Sequence, residues 1–390
     1  MFVNKMLIVA AVLAPAIGLA APPHNMPVKP LVKLADQKAV DKHLRAKGFK
    51  VRGGVDRPQS DRDGAEGRSI PSFTSSFTVG GTSYPFTMVG YKPQSGRSAD
   101  IRSVIIPLRI NFVFFGDNQD VSATFDPARA VANIVGSPLY VPAHFPNGYG
   151  QFGDQMQRAA FWNRMDPGHQ WHVRMAAPQV LPTIDVEVTP ETGTLLSDST
   201  GQPVFGDMLF DFVDAQVKTI LQLLKLPPDV LPIFVTGDVT AEALGYHDAY
   251  AVNDGSANPR LQTFIYTSWL DPAKVSPLLA DVSTFNHELL EWMNDPFANN
   301  VVPTWAYPPA SDPRSTCSFN PLLEVGDPQG NGPTYNDFPT APVVLGGVTY
   351  HLQQLVLWQW FADEVPSSAY GGWYSFPVTN AVTTPAVYCQ

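Results

Sequence analysis

The sequence predicts an α+β fold in which a β-rich N-terminal part precedes a part where strands and helices alternate. Val104 to Phe115 is a long apolar run rich in β-branched and aromatic residues, which indicates a buried strand. Phe205 to Leu226 carries its apolar residues on one broad helical face and is followed by Pro227-Pro228, which ends a helix. With 38 prolines, 29 glycines and only 15% charged residues, the chain fits a loop-rich α+β protein better than a helical bundle.

The remaining elements are predicted from local patterns. Alternating apolar residues from Phe73 to Val89, around Gly80-Gly81, predict a β-hairpin. Other strands are predicted at 171–175, 183–188, 231–235 and 261–269, and other helices at 31–47, 125–135, 151–165, 281–294 and 350–363. Pro296 is expected to stop the helix at 281–294.

The chain divides into four segments. Residues 1–21 have a positive start at Lys5 and a short apolar run that ends in small residues, which is typical of a signal peptide. Residues 22–70 are expected to be a flexible extension or a pro-segment. Residues 72–200 are the β-rich N-terminal part, and residues 201–390 carry the metal-binding motif. The mature protein is therefore expected to be secreted or periplasmic, with no membrane contact after signal cleavage.

The net charge limits which partners the protein can bind, and the two cysteines indicate how the chain is cross-linked. The formal net charge of −10 argues against nucleic-acid binding, which needs a basic surface, and it disfavours anionic membranes. Cys317 and Cys389 are the two cysteines of the chain. In an exported protein such a pair indicates one disulfide, here between the C-terminus and the loop before Glu324, with two free thiols as the alternative.

The segment His287-Glu288-Leu289-Leu290-Glu291 carries the chemistry. On a helix, residues i and i+4 share one face, so His287 and Glu291 project together, and imidazole and carboxylate are both good zinc ligands. A metal site with one open position needs a third protein ligand, and Glu324 is the best candidate. Asp327 could then accept the imidazole N–H of His287. The predicted cofactor is Zn²⁺ or another divalent cation.

This arrangement resembles the gluzincins, which are zincin-like metallopeptidases whose third ligand is a glutamate on a later segment. It also looks like a group of secreted bacterial proteins with an HExxE…E-x-G-D pattern. The resemblance implies a zincin-like domain with a mixed or antiparallel sheet and an active-site helix. It implies that His287, Glu291 and Glu324 are metal ligands. Glu288 would be the general base that activates metal-bound water, and Asp327 would orient His287.

One departure from the HExxH pattern bears on activity. Glu291 stands where such enzymes have a second histidine. Two carboxylates and one imidazole cancel the charge of a divalent cation, which weakens its Lewis acidity. They are also a harder ligand set, which suits Mn²⁺, Fe²⁺ or Ca²⁺ better than a histidine-rich site does. The sequence therefore supports a metal site more strongly than it supports hydrolysis.

Several other residues are secondary candidates. Tyr350 or His351 could donate to an oxyanion, as a late tyrosine or histidine does in gluzincins, or could simply pack. His247 could be an alternative third ligand or a transition-state donor, although a lone histidine beside a tyrosine is more often structural. Aromatic residues are dense from Trp358 to Phe376 and could stack on sugars or line a peptide groove, with core packing as the default.

The sequence thus predicts a secreted metal-dependent hydrolase, most similar to a peptidase, that uses Glu288 and acts on a peptide or protein. The alternative is a non-catalytic secreted binding or structural protein on the same scaffold, in which a metal or a hydrogen-bonded carboxyl cluster holds the core together. A third hypothesis is a glycan-binding or glycan-hydrolysing protein that uses these carboxylates with the C-terminal aromatic residues.

Overall fold

The structure is a computed structural model that describes residues 32–33, 70–116, 120–252, 260–275, 279–306, 317–318, 321–329 and 339–389. The predicted signal peptide and nearly all of the predicted extension lie outside these residues. The helices are α1 (Ala128–Gly136), α2 (Phe152–Ala160), α3 (Phe210–Leu224), α4 (Ser283–Asn294) and α5 (Trp358–Phe361). The strands are β1 (Val32–Lys33), β2 (Ser72–Val79), β3 (Thr82–Val89), β4 (Ala99–Phe115), β5 (Val121–Phe125), β6 (Ala143–Phe145), β7 (Gly148–Gly150), β8 (Val173–Met175), β9 (Gln179–Val180), β10 (Ile184–Val188), β11 (Gly193–Ser197), β12 (Pro203–Met208), β13 (Val230–Gly237), β14 (Val239–Thr240), β15 (Gly245–Val252), β16 (Arg260–Trp269), β17 (Thr340–Leu345), β18 (Val348–Gln353), β19 (Leu355–Val356) and β20 (Ser375–Phe376).

These elements form an α+β protein, as the sequence predicts, and its largest sheet is mixed. The strand order is β10-β4-β13-β16-β15, and β5, β8 and β9 also pair with β4. β10 and β13 pair with β4 in parallel, and β16 pairs with β13 in parallel. β15 is antiparallel to β16 and is the last strand of this sheet in the described part of the chain. Strands from both 72–200 and 201–390 therefore belong to one sheet.

Both faces of this sheet are covered, because successive side chains of a strand point to opposite faces. Ile233 and Ile265 pack on one face into a core with α1, α2, α4 and the C-terminal segment. Phe234 and Tyr266 pack on the other face into a core with α3. Double-sided burial explains the continuous apolar runs by which these strands were predicted. Among the described residues, no helix is long and apolar enough to cross a membrane.

The helix predicted at 281–294 is present as α4 and is buried in the core that contains Ile233 and Ile265. All 12 of its residues are buried, against β15 and β16 on one side and β18 on another. Leu289 and Leu290 are both 0% exposed, and burial of each contributes about 1.5–3 kcal/mol. The preceding Asp281 accepts the backbone N–H of His351 at 3.1 Å, which ties the start of α4 to β18.

The helix predicted from Phe205 is wrong over its first residues. Residues 203–208 form β12, which pairs with β11, and α3 begins only at Phe210. A short apolar run fits a strand and a helix equally well, so pairing with a neighbouring strand decides between them. The helix predicted at 31–47 is likewise contradicted at Val32–Lys33, which pair with β11 as β1, and the rest of it lies outside the described residues.

The helix predicted at 350–363 is also wrong over most of its length. Tyr350 and His351 lie on β18, which pairs with β17 across a two-glycine turn, and only the short α5 is helical. The aromatic residues that follow are core rather than an exposed platform. Trp358 and Trp360 are 1% and 2% exposed, so they offer no stacking surface for a sugar.

Cys317 and Cys389 form the predicted disulfide. The two residues are 72 apart in sequence, and their Cα atoms are 5.9 Å apart. Isolated bridges flank the bond, with Ala306 paired to Cys317 and Trp305 paired to Tyr388. The disulfide therefore fastens the C-terminus to the segment that leads towards Glu324.

Replacing Cys317 and Cys389 by serine should lower the free energy of unfolding by about 4 kcal/mol, because closing a loop of this length restricts the unfolded chain. The measurement is denaturant-induced unfolding of both proteins without reductant. Reductant should destabilise the wild type and leave the serine variant unchanged. Equal unfolding midpoints for the two proteins would show that the bond adds no stability.

Candidate metal centre

The site lies where α4 packs against the last strand of the large sheet. Five side chains from three segments meet there: His247, His287, Glu288, Glu291 and Glu324. Each is at most 3% exposed. On β15, Tyr246 packs into the α3 core, so the alternation of the strand turns His247 towards α4. The helix and the strand therefore aim their polar side chains at each other inside the protein.

Glu291 is common to two groups of potential ligand atoms. His247, Glu291 and Glu324 form one group, and His287, Glu288 and Glu291 form the other, with the atoms of each group within 4.8 Å of one another. Glu291 Oε2 is 3.0 Å from His287 Nε2 and 3.9 Å from His247 Nδ1. Glu324 Oε2 is 3.8 Å from His247 Nε2. The predicted ligands His287 and Glu324 thus both lie near Glu291, but they belong to different groups.

Several of these buried atoms make no hydrogen bond. They are both carboxylate oxygens of Glu324, Oε2 of Glu291 and Nε2 of His287. Such atoms are rare, because an unpaired polar group inside a protein costs free energy. In a tetrahedral zinc site with bonds of about 2.0–2.2 Å, the ligand atoms are about 3.4 Å apart. The separations of 3.0 Å from His287 Nε2 and 3.9 Å from His247 Nδ1 to Glu291 Oε2 therefore fit a divalent cation.

His287 is oriented by Gln353. The Gln353 amide nitrogen donates to the carbonyl oxygen of Gly326 at 2.9 Å, which turns its Oε1 towards His287. That oxygen lies 2.9 Å from His287 Nδ1 and can only accept, so Nδ1 carries the proton. The lone pair of neutral His287 is consequently on Nε2, which faces Glu291. Locking one ring nitrogen of a histidine so that the other is free is the usual arrangement around a bound metal.

His247 is oriented in the same way by backbone. Its Nε2 lies 3.1 Å from the carbonyl oxygen of Asp295, which can only accept a hydrogen bond. Nδ1 then faces Glu288 Oε2 at 3.5 Å, to which it donates when the ring is protonated, and Glu291 Oε2 at 3.9 Å. Asp295 is itself fixed, because its carboxylate accepts the N–H groups of Asn299 and Asn300. Both histidines therefore direct one nitrogen at the carboxylates.

Glu324 is placed by a loop that is anchored at both sides. Leu323 and Val325 are fully buried in the core. The N–H of Leu323 donates to Asn300 O at 3.0 Å, and Val325 O accepts the N–H of Val356 at 2.9 Å. These contacts fix the backbone on either side of Glu324 and leave its carboxylate within the cluster.

Gly326 allows this loop to approach α4. Its N–H donates to Glu291 Oε1 at 3.1 Å. A Cβ atom at this position would lie 2.5 Å from His287 Nδ1, so no larger residue fits without moving the ring. Gly245 has the same role on β15, where a Cβ atom would lie 2.7 Å from Glu288 Cγ. Two glycines thus permit the close packing of the three segments.

Buried negative charge dominates the electrostatics of the cluster. Burial and the nearby Glu291 carboxylate raise the pKa of Glu324 well above its ordinary value. Burial also raises the pKa of Glu288, although the hydrogen bond to His247 opposes this shift. Burial alone would lower the pKa of His287, but Glu291 and the neighbouring carboxylates raise it to about 10. The cluster therefore attracts positive charge, as protons or as a metal cation.

Of the three other predicted site residues, Asp327 lies beside the cluster, whereas Tyr350 and His351 contact other residues. Asp327 Oδ1 is 3.6 Å from His287 Nε2, so it adds a carboxylate on the side of the ring that faces Glu291. His351 Nδ1 is 2.6 Å from the Asp281 carboxylate at the start of α4, and Tyr350 packs in the core. The described contacts of Tyr350 and His351 reach neither ligand group.

Sequence reasoning did not assign roles to Gln353, Gly326 or Gly245. The position of Gln353 two residues after His351 on β18 places both side chains on the face towards α4. That signal was hidden because the segment was predicted to be a helix. Gly326 belongs to the E-x-G-D pattern, but neither glycine indicates its role without knowledge of which segments pack together.

Comparison of the chain with protein-family models, with curated proteins and with solved structures finds no match.

Replacing Gln353 by leucine should lower the affinity for Zn²⁺ about 10–100-fold, because His287 loses the acceptor that fixes its ring. Competition with a chromogenic zinc chelator measures this affinity. Gln354→Leu is the matched control, since Gln354 is equally buried and its amide nitrogen makes no hydrogen bond. The same affinity in both variants would mean that Gln353 does not support the site.

Proposed function

We propose that this protein is a secreted metal-dependent hydrolase, most similar to a peptidase, built on a zincin-like scaffold. The observation that carries the proposal is the convergence of buried atoms of His287, Glu291 and Glu324 around one point of α4. Both carboxylate oxygens of Glu324 make no hydrogen bond there, and Glu291 Oε2 faces His287 Nε2 at 3.0 Å. Polar atoms that receive no hydrogen bond inside a protein are explained when a cation binds them. Zn²⁺ suits the imidazole and carboxylate donors, and another divalent cation with a preference for oxygen suits them as well.

The arrangement of the sheet supports the zincin-like part of the proposal. A mixed sheet ends in β15, which runs antiparallel to its neighbour, and α4 packs against β15 and β16. In the gluzincins, which the motif resembles, an active-site helix packs on such a sheet. Because a fold can serve many activities, this similarity supports the scaffold and not the reaction.

The proposed reaction assigns each side chain one task. His287, Glu291 and Glu324 would hold the cation, which when bound polarises a substrate carbonyl and makes water easier to deprotonate. Glu288 would accept the proton of the attacking water and pass it to the leaving amine. The raised pKa of Glu288, caused mainly by burial, brings this carboxylate closer to the value that suits a general base near neutral pH.

A second candidate is a non-catalytic protein in which a cation holds α4, β15 and the Glu324 loop together. The burial of the site favours it, because Glu288 is only 1% exposed and faces His247. Structural metal sites are closed in this way, whereas catalytic sites keep a position open to substrate. The two candidates share the metal and differ in what Glu288 does.

The metal itself is tested by elemental analysis of the purified full chain beside His287→Ala. We expect the wild type to contain a divalent metal and the variant to contain at most half as much, because one unpaired ligand nitrogen is lost. His172→Ala is the control, since His172 pairs with Asp154 outside the cluster. A wild-type protein that holds no metal after purification and after incubation with Zn²⁺ would contradict the proposal.

The reaction is tested with Glu288→Gln, which keeps the shape of the side chain but removes its basicity. If Glu288 is the general base, cleavage of a fluorescently labelled unfolded protein should fall about 10²–10⁴-fold while the metal content is unchanged. Glu187→Gln, on an exposed position of β10, should cleave at the wild-type rate. Equal cleavage by Glu288→Gln would exclude this mechanism, and no cleavage by the wild type would leave the structural candidate.

A further inference from the structure

We infer that the cluster holds two divalent cations that share Glu291. The inference rests on the proposed function in one respect, namely that the cluster binds metal. It differs from the sequence-based expectation of a single ion held by His287, Glu291 and Glu324.

The grouping of the ligand atoms favours two ions. Among the described residues, potential ligand atoms fall into two groups that have Glu291 in common, one containing His247 and Glu324 and the other containing His287 and Glu288. A single tetrahedral ion needs all its ligand atoms within about 3.4 Å of one another. His247 and His287 do not share a group even at 4.8 Å, so one ion cannot bind both without rearrangement. Two ions at about 3.5–4 Å, the usual separation in two-metal sites, can each take one histidine.

The orientation of the two histidines supports the same assignment. Each ring has one nitrogen fixed by an acceptor, Gln353 Oε1 for His287 and the Asp295 carbonyl for His247. Each therefore presents its other nitrogen to Glu291 Oε2, from 3.0 Å and from 3.9 Å. Each histidine can thus offer one nitrogen to an ion that Glu291 holds.

Charge points in the same direction. The carboxylates of Glu288, Glu291 and Glu324 are all at most 1% exposed, and together they carry three negative charges when ionised. One divalent cation compensates two of these charges, and the third then needs a proton or a second cation, because an uncompensated charge in the interior is costly. In the two-ion assignment, His247 and Glu324 would hold one ion. His287 would hold the other, near Asp327, whose Oδ1 is 3.6 Å from His287 Nε2. Glu291 would bridge the two ions, and Glu288, which belongs to the His287 group, would lie beside the second ion as the proton acceptor.

Counting the bound metal tests the inference. The full chain, loaded with Zn²⁺ and passed over a desalting column to remove loosely held ions, should contain two zinc ions. One ion would overturn the inference and leave the proposed metal site intact, whereas no ion would overturn both. His247→Ala and His287→Ala should each retain one ion, and His172→Ala should retain two. Two ions in His247→Ala would also overturn the inference.

A second measurement needs no variant and therefore does not depend on variants that fold. After loading with Mn²⁺ alone, the wild-type protein should give the electron paramagnetic resonance spectrum of an exchange-coupled pair, because a bridging carboxylate couples neighbouring ions. The spectrum of magnetically isolated Mn²⁺ would overturn the inference. Two zinc ions by elemental analysis together with isolated Mn²⁺ would place the ions apart and would exclude Glu291 as the bridge.

Discussion

The rest of this structure depends on how it tolerates negative charge in its interior. Glu288, Glu291 and Glu324 are essentially inaccessible to water, and burying an ionised carboxylate costs several kcal/mol even after relaxation. A whole domain is stable by only about 5–15 kcal/mol. Three uncompensated buried carboxylates would therefore cost a free energy comparable to the entire stability of the fold. The helix that carries two of them is also the centre of the main core. Compensation of this charge is therefore a condition for the fold as well as for any chemistry at the site.

Much of the fold could be predicted because its strongest signals are local. The strand at Val104 to Phe115, the hairpin around Gly80 and the helix of the motif all appear within a few residues of the expected bounds. The errors occur where a short apolar run fits either period. Phe205 belongs to a strand because β11 lies beside it, and Tyr350 belongs to a strand because β17 does. These pairings join segments whose proximity the sequence does not state.

The site residues likewise fall into those that local spacing predicts and those that only tertiary packing brings together. His287, Glu288 and Glu291 were predictable, because helical spacing alone brings them together, and Glu324 followed from the need for a further ligand. His247 was named from the sequence as an alternative third ligand, but its position beside Glu288 was not predictable, since it comes from a strand 41 residues earlier in the chain. The role of Gln353, 66 residues after His287, depends on β18, which the sequence presented as a helix. The sequence thus did not reveal which residues surround and orient the ligands on the helix, because tertiary packing brings those residues together.

The acceptors that orient His247 and His287 also determine which ring nitrogen of each histidine faces the carboxylates. A carbonyl oxygen fixes His247 Nε2 as the donor, so Nδ1 of the neutral ring has its lone pair directed at carboxylate oxygens 3.5 and 3.9 Å away. Gln353 imposes the same condition on His287, whose Nε2 faces Glu291 Oε2 at 3.0 Å. Two lone pairs that face each other at such distances repel unless a proton or a cation lies between them. Burial opposes protonation of both histidines, but the facing carboxylates raise the pKa of each ring, so a proton on each ring can satisfy its own contact. The convergence of both histidines on one oxygen of Glu291 is therefore satisfied either by two protonated rings or by a metal cation, which accepts several donors at once.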